Sequence, residues 1–129
     1  MQWLWIVLAV LVLLWIVLRM QSRKGVATIS SGELEARLKR DPQSLQIVDV
    51  REPYEFASGH ISRAKNIPLG SIQRSFHEVS KDKELVFVCR SGNRSLRAAQ
   101  LAKKAGFVSV YNLSGGMGGW SGPVKKVRK

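Results

Sequence analysis

The chain has 129 residues, a net charge of +12 and one cysteine. That length fits one domain with an appendage, a single thiol excludes an intrachain disulfide, and no Cys/His clusters at metal-ligand spacing are present. The 21 basic residues are spread out, not gathered in a stripe with interleaved aromatics, which argues against nucleic acid and leaves a membrane surface or an anionic substrate to account for the charge.

Residues 3–18 are all apolar, and the first charge is Arg19. Sixteen residues make about 24 Å of helix. Met1, Gln2 and Met20, with a snorkelling Arg19, extend this towards the roughly 30 Å of a hydrocarbon core. Twelve of the sixteen are Leu, Ile or Val, which favours insertion by roughly 4–7 kcal/mol. Trp3, Trp5 and Trp15 fall where interfacial anchors would. A helix apolar on every side needs protein all round it, more than the remaining chain supplies. A cleaved signal peptide would show a positive n-region and a small-residue cleavage site, and neither is present. The pattern predicts one transmembrane helix over residues 1–20, followed by a polar linker over 21–28. Arg19, Arg23 and Lys24 predict, by the positive-inside rule, that the following domain is cytoplasmic, where a lone free thiol is at home. Membrane lipid is then one partner, and a membrane protein is a second candidate.

A domain is expected over residues 29–122. Ser30 and Glu33 have capping-box spacing, and Leu34 and Leu38 repeat at i, i+4, so a helix is expected near 31–40, ended by Asp41-Pro42. Gln46–Val50 reads as a short apolar strand. Pro53–Ser58 suggests a short helix followed by Gly59. Residues 66–69 read as extended, with a short helix near 71–78. Leu85–Val88 is a continuous apolar run, as in a strand covered on both faces. A loop at 89–94 precedes a helix over 95–105, with Leu101, Ala102 and Ala105 inward and Gly106 as its cap. Phe107–Tyr111 reads as a further strand, residues 112–122 as a glycine-rich loop, and residues 123–129 as a basic tail. Strands alternating with helices predict an α/β fold with a central parallel sheet between helical layers. In such folds the site lies beyond the carboxyl ends of the strands.

That rule points to Cys89, at the end of Leu85–Val88 and the start of Cys89-Arg90-Ser91-Gly92-Asn93-Arg94. Backbone amides in a tight loop before a helix can converge on an anion. The helix N-terminus, Arg90 and Arg94 are expected to favour the thiolate. Gly92 permits a backbone conformation that other residues resist. The loop is suited to activating a sulfur nucleophile and holding further negative charge on it.

The segment 29–122 resembles the rhodanese homology domain. Cys89–Ser95 (CRSGNRS) matches that family's active-site loop in its common bacterial form. Asp49–Phe56 (DVREPYEF), Gly59–Pro68 (GHISRAKNIP) and Ala105–Trp120 (AGFVSVYNLSGGMGGW) match three further blocks, in family order. The resemblance implies a rhodanese-like three-layer α/β/α fold, preceded here by the membrane helix, in a bacterial inner membrane. It also implies a sulfurtransferase that moves a sulfane sulfur from a small anionic donor such as thiosulfate to a thiol or protein-cysteine acceptor, through a Cys89 persulfide. Cys89 would be catalytic. Arg90, Ser91, Gly92, Asn93, Arg94 and Ser95 would bind substrate and persulfide. Asp49 and Arg51 would be structural near the site. No metal or cofactor is required.

His60 and His77 are titratable candidates, but His60 lies in the GHI block, where it resembles a structural residue. The glycines at 115, 116, 118 and 119 lack a phosphate-loop spacing and read as a packing loop. Two other functions compete. Related cysteine-loop phosphatases and arsenate reductases place five residues between Cys and Arg, whereas four stand here. A membrane-tethered scaffold of the same fold, with incidental or no turnover, is the alternative from a different class.

Overall fold

The computed structural model describes residues 1–24 and 26–127, with backbone alone for 19–24. In chain order the elements are α1 (Gln2–Lys24), β1 (Val26–Ile29), α2 (Ser31–Arg40), β2 (Leu45–Asp49), α3 (Pro53–Ser58), β3 (His60–Ile61), β4 (Lys65–Asn66), β5 (Glu84–Val88), α4 (Asn93–Lys104), β6 (Val110–Leu113) and β7 (Val124–Lys125). Short 3-10 turns fill Leu69–Ser71, Gln73–Glu78 and Gly116–Gly119.

Five strands form one parallel sheet in the order β1-β6-β5-β2-β4. Central β5 shows why the run Leu85–Val88 is apolar without alternation. Leu85 and Phe87 pack on one face with Ala98, Ala99 and Ala102 of α4. Val86 and Val88 pack on the other with Leu34 of α2. All four strand residues are fully buried, contributing roughly 1.5–3 kcal/mol per side chain. Helices thus cover both faces, giving the expected three layers. The inward face of α4 is Ser95, Ala98, Ala99 and Ala102, at helical spacing. Ala105, expected inward, is exposed because it lies past the last turn.

The structure moves several boundaries. Val26–Ile29, whose first three residues are expected in the linker, is the sheet's edge strand, paired with Val110–Leu113; its backbone needs that partner to satisfy a row of amides. The strand expected at Phe107–Tyr111 starts instead at Val110. Gly106 has φ 100°, its amide donates to the Lys103 carbonyl (3.2 Å) and that of Phe107 to Ala102 (3.1 Å). This is a Schellman ending, and it holds Phe107 in the core against Phe76. The basic tail is also structured: Val124 and Lys125 pair antiparallel with Ile61 and His60, and the Val127 amide donates to the Ala57 carbonyl at 3.1 Å. Arg128 and Lys129 lie outside the described residues.

The structure does not show the spanning helix expected over residues 1–20. Among the described residues no helix is long and apolar enough to cross a membrane. The described side chains of α1 stop at Leu18, and the basic cluster Arg19, Arg23 and Lys24 lies outside them. Within the described run every large apolar side chain is exposed, from 41% at Ile16 and Val17 to 75% at Trp5.

Candidate active site

Alternation along β5 carries Cys89 onto the same face as Leu85 and Phe87, the face that α4 covers. The sulfur therefore lies beneath the first turn of α4. Gly92, at φ 108°, turns the chain into that helix. Gly92 offers no side chain to cap α4, which leaves the loop amides to the sulfur. The Gly92 amide donates to Cys89 Sγ at 3.0 Å, and Ser95 Oγ stands 3.2 Å from it. Cys89 is only 1% exposed, so the cup is deep. Burial pushes the thiol pKa up, but hydrogen bonding from the Ser95 side chain and from the amides of Ser95, Gly92 and Ser91 outweighs it, and the net direction is down. Hydrogen bonds to the charged form achieve this, more than the two arginines expected to do so.

The arginines divide. Arg94 is held by Glu55 of α3, with guanidinium nitrogens 2.8 and 3.1 Å from its carboxylate oxygens. That bond is the main reason the Glu55 pKa is lowered to about 2. Arg90 is exposed and, with Arg51, Tyr54, Glu55, Ser58 and Met117, lines a cleft of about 440 Å3 at the loop's mouth. Ser91 and Asn93 are also exposed.

Asp49 and Arg51 form a buried pair. Arg51 Nε lies 3.0 and 3.1 Å from the two Asp49 oxygens, and Arg51 NH2 is 2.8 Å from Asp49 Oδ2 and 2.7 Å from the Gly59 carbonyl. The pair ties the end of β2 to the start of β3. His60 stacks on Phe56, ring centres 3.6 Å apart, with Nδ1 2.8 Å from the Phe56 carbonyl. It braces α3 and is not aimed at the sulfur. His77 is exposed on the 3-10 turn Gln73–Glu78.

Sequence reasoning does not assign three residues of the site to it, although it reads one of them as part of a packing loop. Glu55 is one. Asn112 is the second: its Oδ1 accepts from Ser95 Oγ at 2.5 Å and its Nδ2 donates to the Gly92 carbonyl at 3.1 Å. Gly116 is the third. A Cβ there would stand 2.7 Å from the Arg90 carbonyl oxygen. The close approach lets the Met117 amide donate to the Cys89 carbonyl (2.8 Å) and the Gly118 amide to that of Arg90 (3.0 Å). The glycine-rich segment is thus a packing loop, as expected, clamped on the loop that starts at Cys89. Among the described residues no group of three or more His, Cys, Asp or Glu side chains is placed to hold a metal.

The profile of the rhodanese-like domain matches residues 30–123. The uncharacterized protein YqhL of Bacillus subtilis is 35% identical over 120 residues, 93% of this chain and 92% of its own. The thiosulfate sulfurtransferase GlpE of Pseudomonas aeruginosa is 40% identical over 86 residues, 67% of this chain and 77% of its own. A crystal structure of a rhodanese-like domain protein from Staphylococcus aureus superposes with a TM-score of 0.70 at 30% identity, covering 80% of this chain and 99% of that one. With the parallel sheet, the strand-end cysteine and these relatives together, the chain belongs to the rhodanese-like domain family, as a sulfurtransferase.

Proposed function

We propose that this sulfurtransferase carries a sulfane sulfur as a Cys89 persulfide. The thiolate attacks the outer sulfur of a donor such as thiosulfate. The Sγ–S bond forms, the donor's S–S bond breaks, and sulfite leaves with the electron pair. A thiol or protein cysteine (cyanide in vitro) then attacks the terminal sulfur, and Cys89 returns as thiolate. No external oxidant or reductant enters the balance.

The observation that carries this reading is the Gly92 amide aimed at Cys89 Sγ from 3.0 Å. The amides of Ser91 and Ser95 act on the same sulfur, so a negative charge there is met by fixed dipoles. Exposed Arg90 at the cleft supplies the positive charge that draws an anionic donor. Arg94, closed by Glu55, serves instead to position the loop. Incubation with thiosulfate is expected to add the mass of one sulfur to Cys89, removable by cyanide. Cys89→Ala is expected to abolish thiosulfate:cyanide transfer with the fold intact. Retained transfer in that variant would overturn the reading.

We further propose that α1 anchors the chain in a bacterial inner membrane in a single pass, with lipid as a partner and the rhodanese-like domain on the cytoplasmic side. Sixteen consecutive apolar residues held out to solvent need a covering, and lipid supplies it. The YqhL match leaves at most about nine residues of this chain unmatched and so reaches into the apolar run.

A further inference from the structure

Ser95 has one hydroxyl hydrogen, and two acceptors stand within its reach. Asn112 Oδ1 is 2.5 Å away and Cys89 Sγ 3.2 Å away. The amide orientation of Asn112 is fixed, because Nδ2 donates to the Gly92 carbonyl at 3.1 Å. Oδ1 therefore faces Ser95 and can only accept. Cys89, Ser95 and Asn112 are all buried. With the sulfur protonated, both demands are met: the thiol donates to Ser95 Oγ, and Ser95 donates to Asn112. With the sulfur as thiolate, the same hydrogen is wanted in two places.

We propose that Asn112 is a positioning residue that competes with the Cys89 sulfur for the Ser95 hydroxyl hydrogen. It holds that hydrogen while the sulfur is a thiol or is bonded to a second sulfur, and yields it when the sulfur is a thiolate. When the thiol ionises, its proton passes to water and the hydroxyl turns from Asn112 to Sγ. When the persulfide forms, Sγ is divalent and uncharged, and the hydroxyl turns back. Asn112 thereby restrains the thiolate, the form that attacks the donor and leaves when the acceptor takes the sulfur.

The charged groups around this loop are Arg90 and Arg94 on the loop and α4, Glu52 and Glu55 at α3, and the Asp49–Arg51 pair at the end of β2. A neutral substitution at Asn112 changes none of their charges. The proposal rests on Cys89 being the nucleophile, but the test reads the hydrogen bond whether or not sulfur is transferred.

The test is the pH profile of Cys89 alkylation by iodoacetamide in the full chain, where Cys89 is the sole cysteine. Wild type, Asn112→Leu, Ser95→Ala and the double variant are compared. Asn112→Leu removes the competing acceptor. The midpoint should move to lower pH, and alkylation below the midpoint should rise several-fold, up to about tenfold. Ser95→Ala should move the midpoint up. In the Ser95→Ala background, Asn112→Leu should have no further downward effect. A merely structural Asn112 gives the opposite sign, since a loosened Gly92 carbonyl takes the Gly92 amide off the sulfur and raises the midpoint. An unchanged or raised midpoint in Asn112→Leu, or an equal fall with Ser95 absent, overturns the proposal. Asn112→Ala, which deletes the same acceptor with less bulk, is read in the same way if circular dichroism shows that the leucine variant does not fold.

Discussion

Glu55 takes both ends of the Arg94 guanidinium, 2.8 and 3.1 Å away, and thereby fastens α3 to the first turn of α4. An arginine that the loop pattern offers to substrate is spent on tying two helices. Its charge is largely cancelled where the donor would arrive, which leaves Arg90 as the exposed cation of the loop. Arg90→Ala should therefore raise KM for thiosulfate several-fold with a smaller effect on kcat. Arg94→Ala should chiefly lower stability. Steady-state kinetics and urea unfolding of the two variants separate these effects.

The same ion pair sets an acid dependence. The folded-state pKa of Glu55 is about 2, below its ordinary 4.5. A depressed carboxyl contributes stability that is complete above 4.5 and is lost as pH falls towards 2. The Arg94 side chain is 36% exposed, so solvent screening holds the contribution to about 1 kcal/mol. Glu55→Gln should lower the urea midpoint at neutral pH and narrow its gap to wild type as pH falls through this window. A constant gap would separate the stability loss from the ionised pair.

Gly116 supports the Cys89 loop by proximity. Its φ is 56°, and an added Cβ would press on the Arg90 carbonyl. Backbone oxygen cannot swing aside as a long side chain can. Gly116→Ala should cost roughly 1–2 kcal/mol for the left-handed backbone and about 1–3 kcal/mol for overlap. Transfer activity should fall further than stability alone explains, because the Met117 and Gly118 amides lose the Cys89 and Arg90 carbonyls. Gly118→Ala, whose Cβ would meet the Arg90 carbonyl only at 3.4 Å, should be milder on both measures.

His60 has the chemistry of an acid or base but the environment of a brace, stacked on Phe56 and hydrogen-bonded to its carbonyl. His60→Ala should lower the melting temperature by several degrees, in keeping with a loss of roughly 1–2 kcal/mol. The pH profile of transfer should keep the wild-type shape. A lost limb in that profile would make the imidazole a catalyst.

Sequence carried the centre of the fold and of the site better than their edges. Leu85–Val88 is legible because a strand buried on both faces must be apolar throughout, and Cys89 follows it directly. Ser30 capping the Glu33 amide at 3.2 Å is a local motif, readable within four residues. In contrast, β3 and β7 are two-residue strands defined by pairing His60 with Lys125 and Ile61 with Val124, and neither segment carries alternation. Phe107 has the composition of a strand but belongs to a helix ending, where Gly106 decides. Glu55 and Asn112 are 39 and 17 residues from the partners they serve, Arg94 and Ser95. Nothing local distinguishes them from an ordinary surface carboxylate or a turn asparagine.

The apolar run of α1 gives the membrane proposal a quantitative test. Its twelve Leu, Ile and Val residues favour insertion by roughly 4–7 kcal/mol, and an arginine at the helix centre opposes it by roughly 2.5–3.5 kcal/mol. One such change should be tolerated and two should not. Leu11→Arg alone should leave the chain in the carbonate-resistant membrane fraction, while Leu11→Arg with Leu14→Arg should release it, with thiosulfate:cyanide transfer retained because Cys89 and its loop are untouched. Orientation is read from the intact anchor. In inside-out vesicles the rhodanese-like domain should be open to protease, and in right-side-out vesicles it should be protected. Release of the wild-type chain by carbonate would exclude a spanning helix, and protection in inside-out vesicles would place the domain on the opposite side.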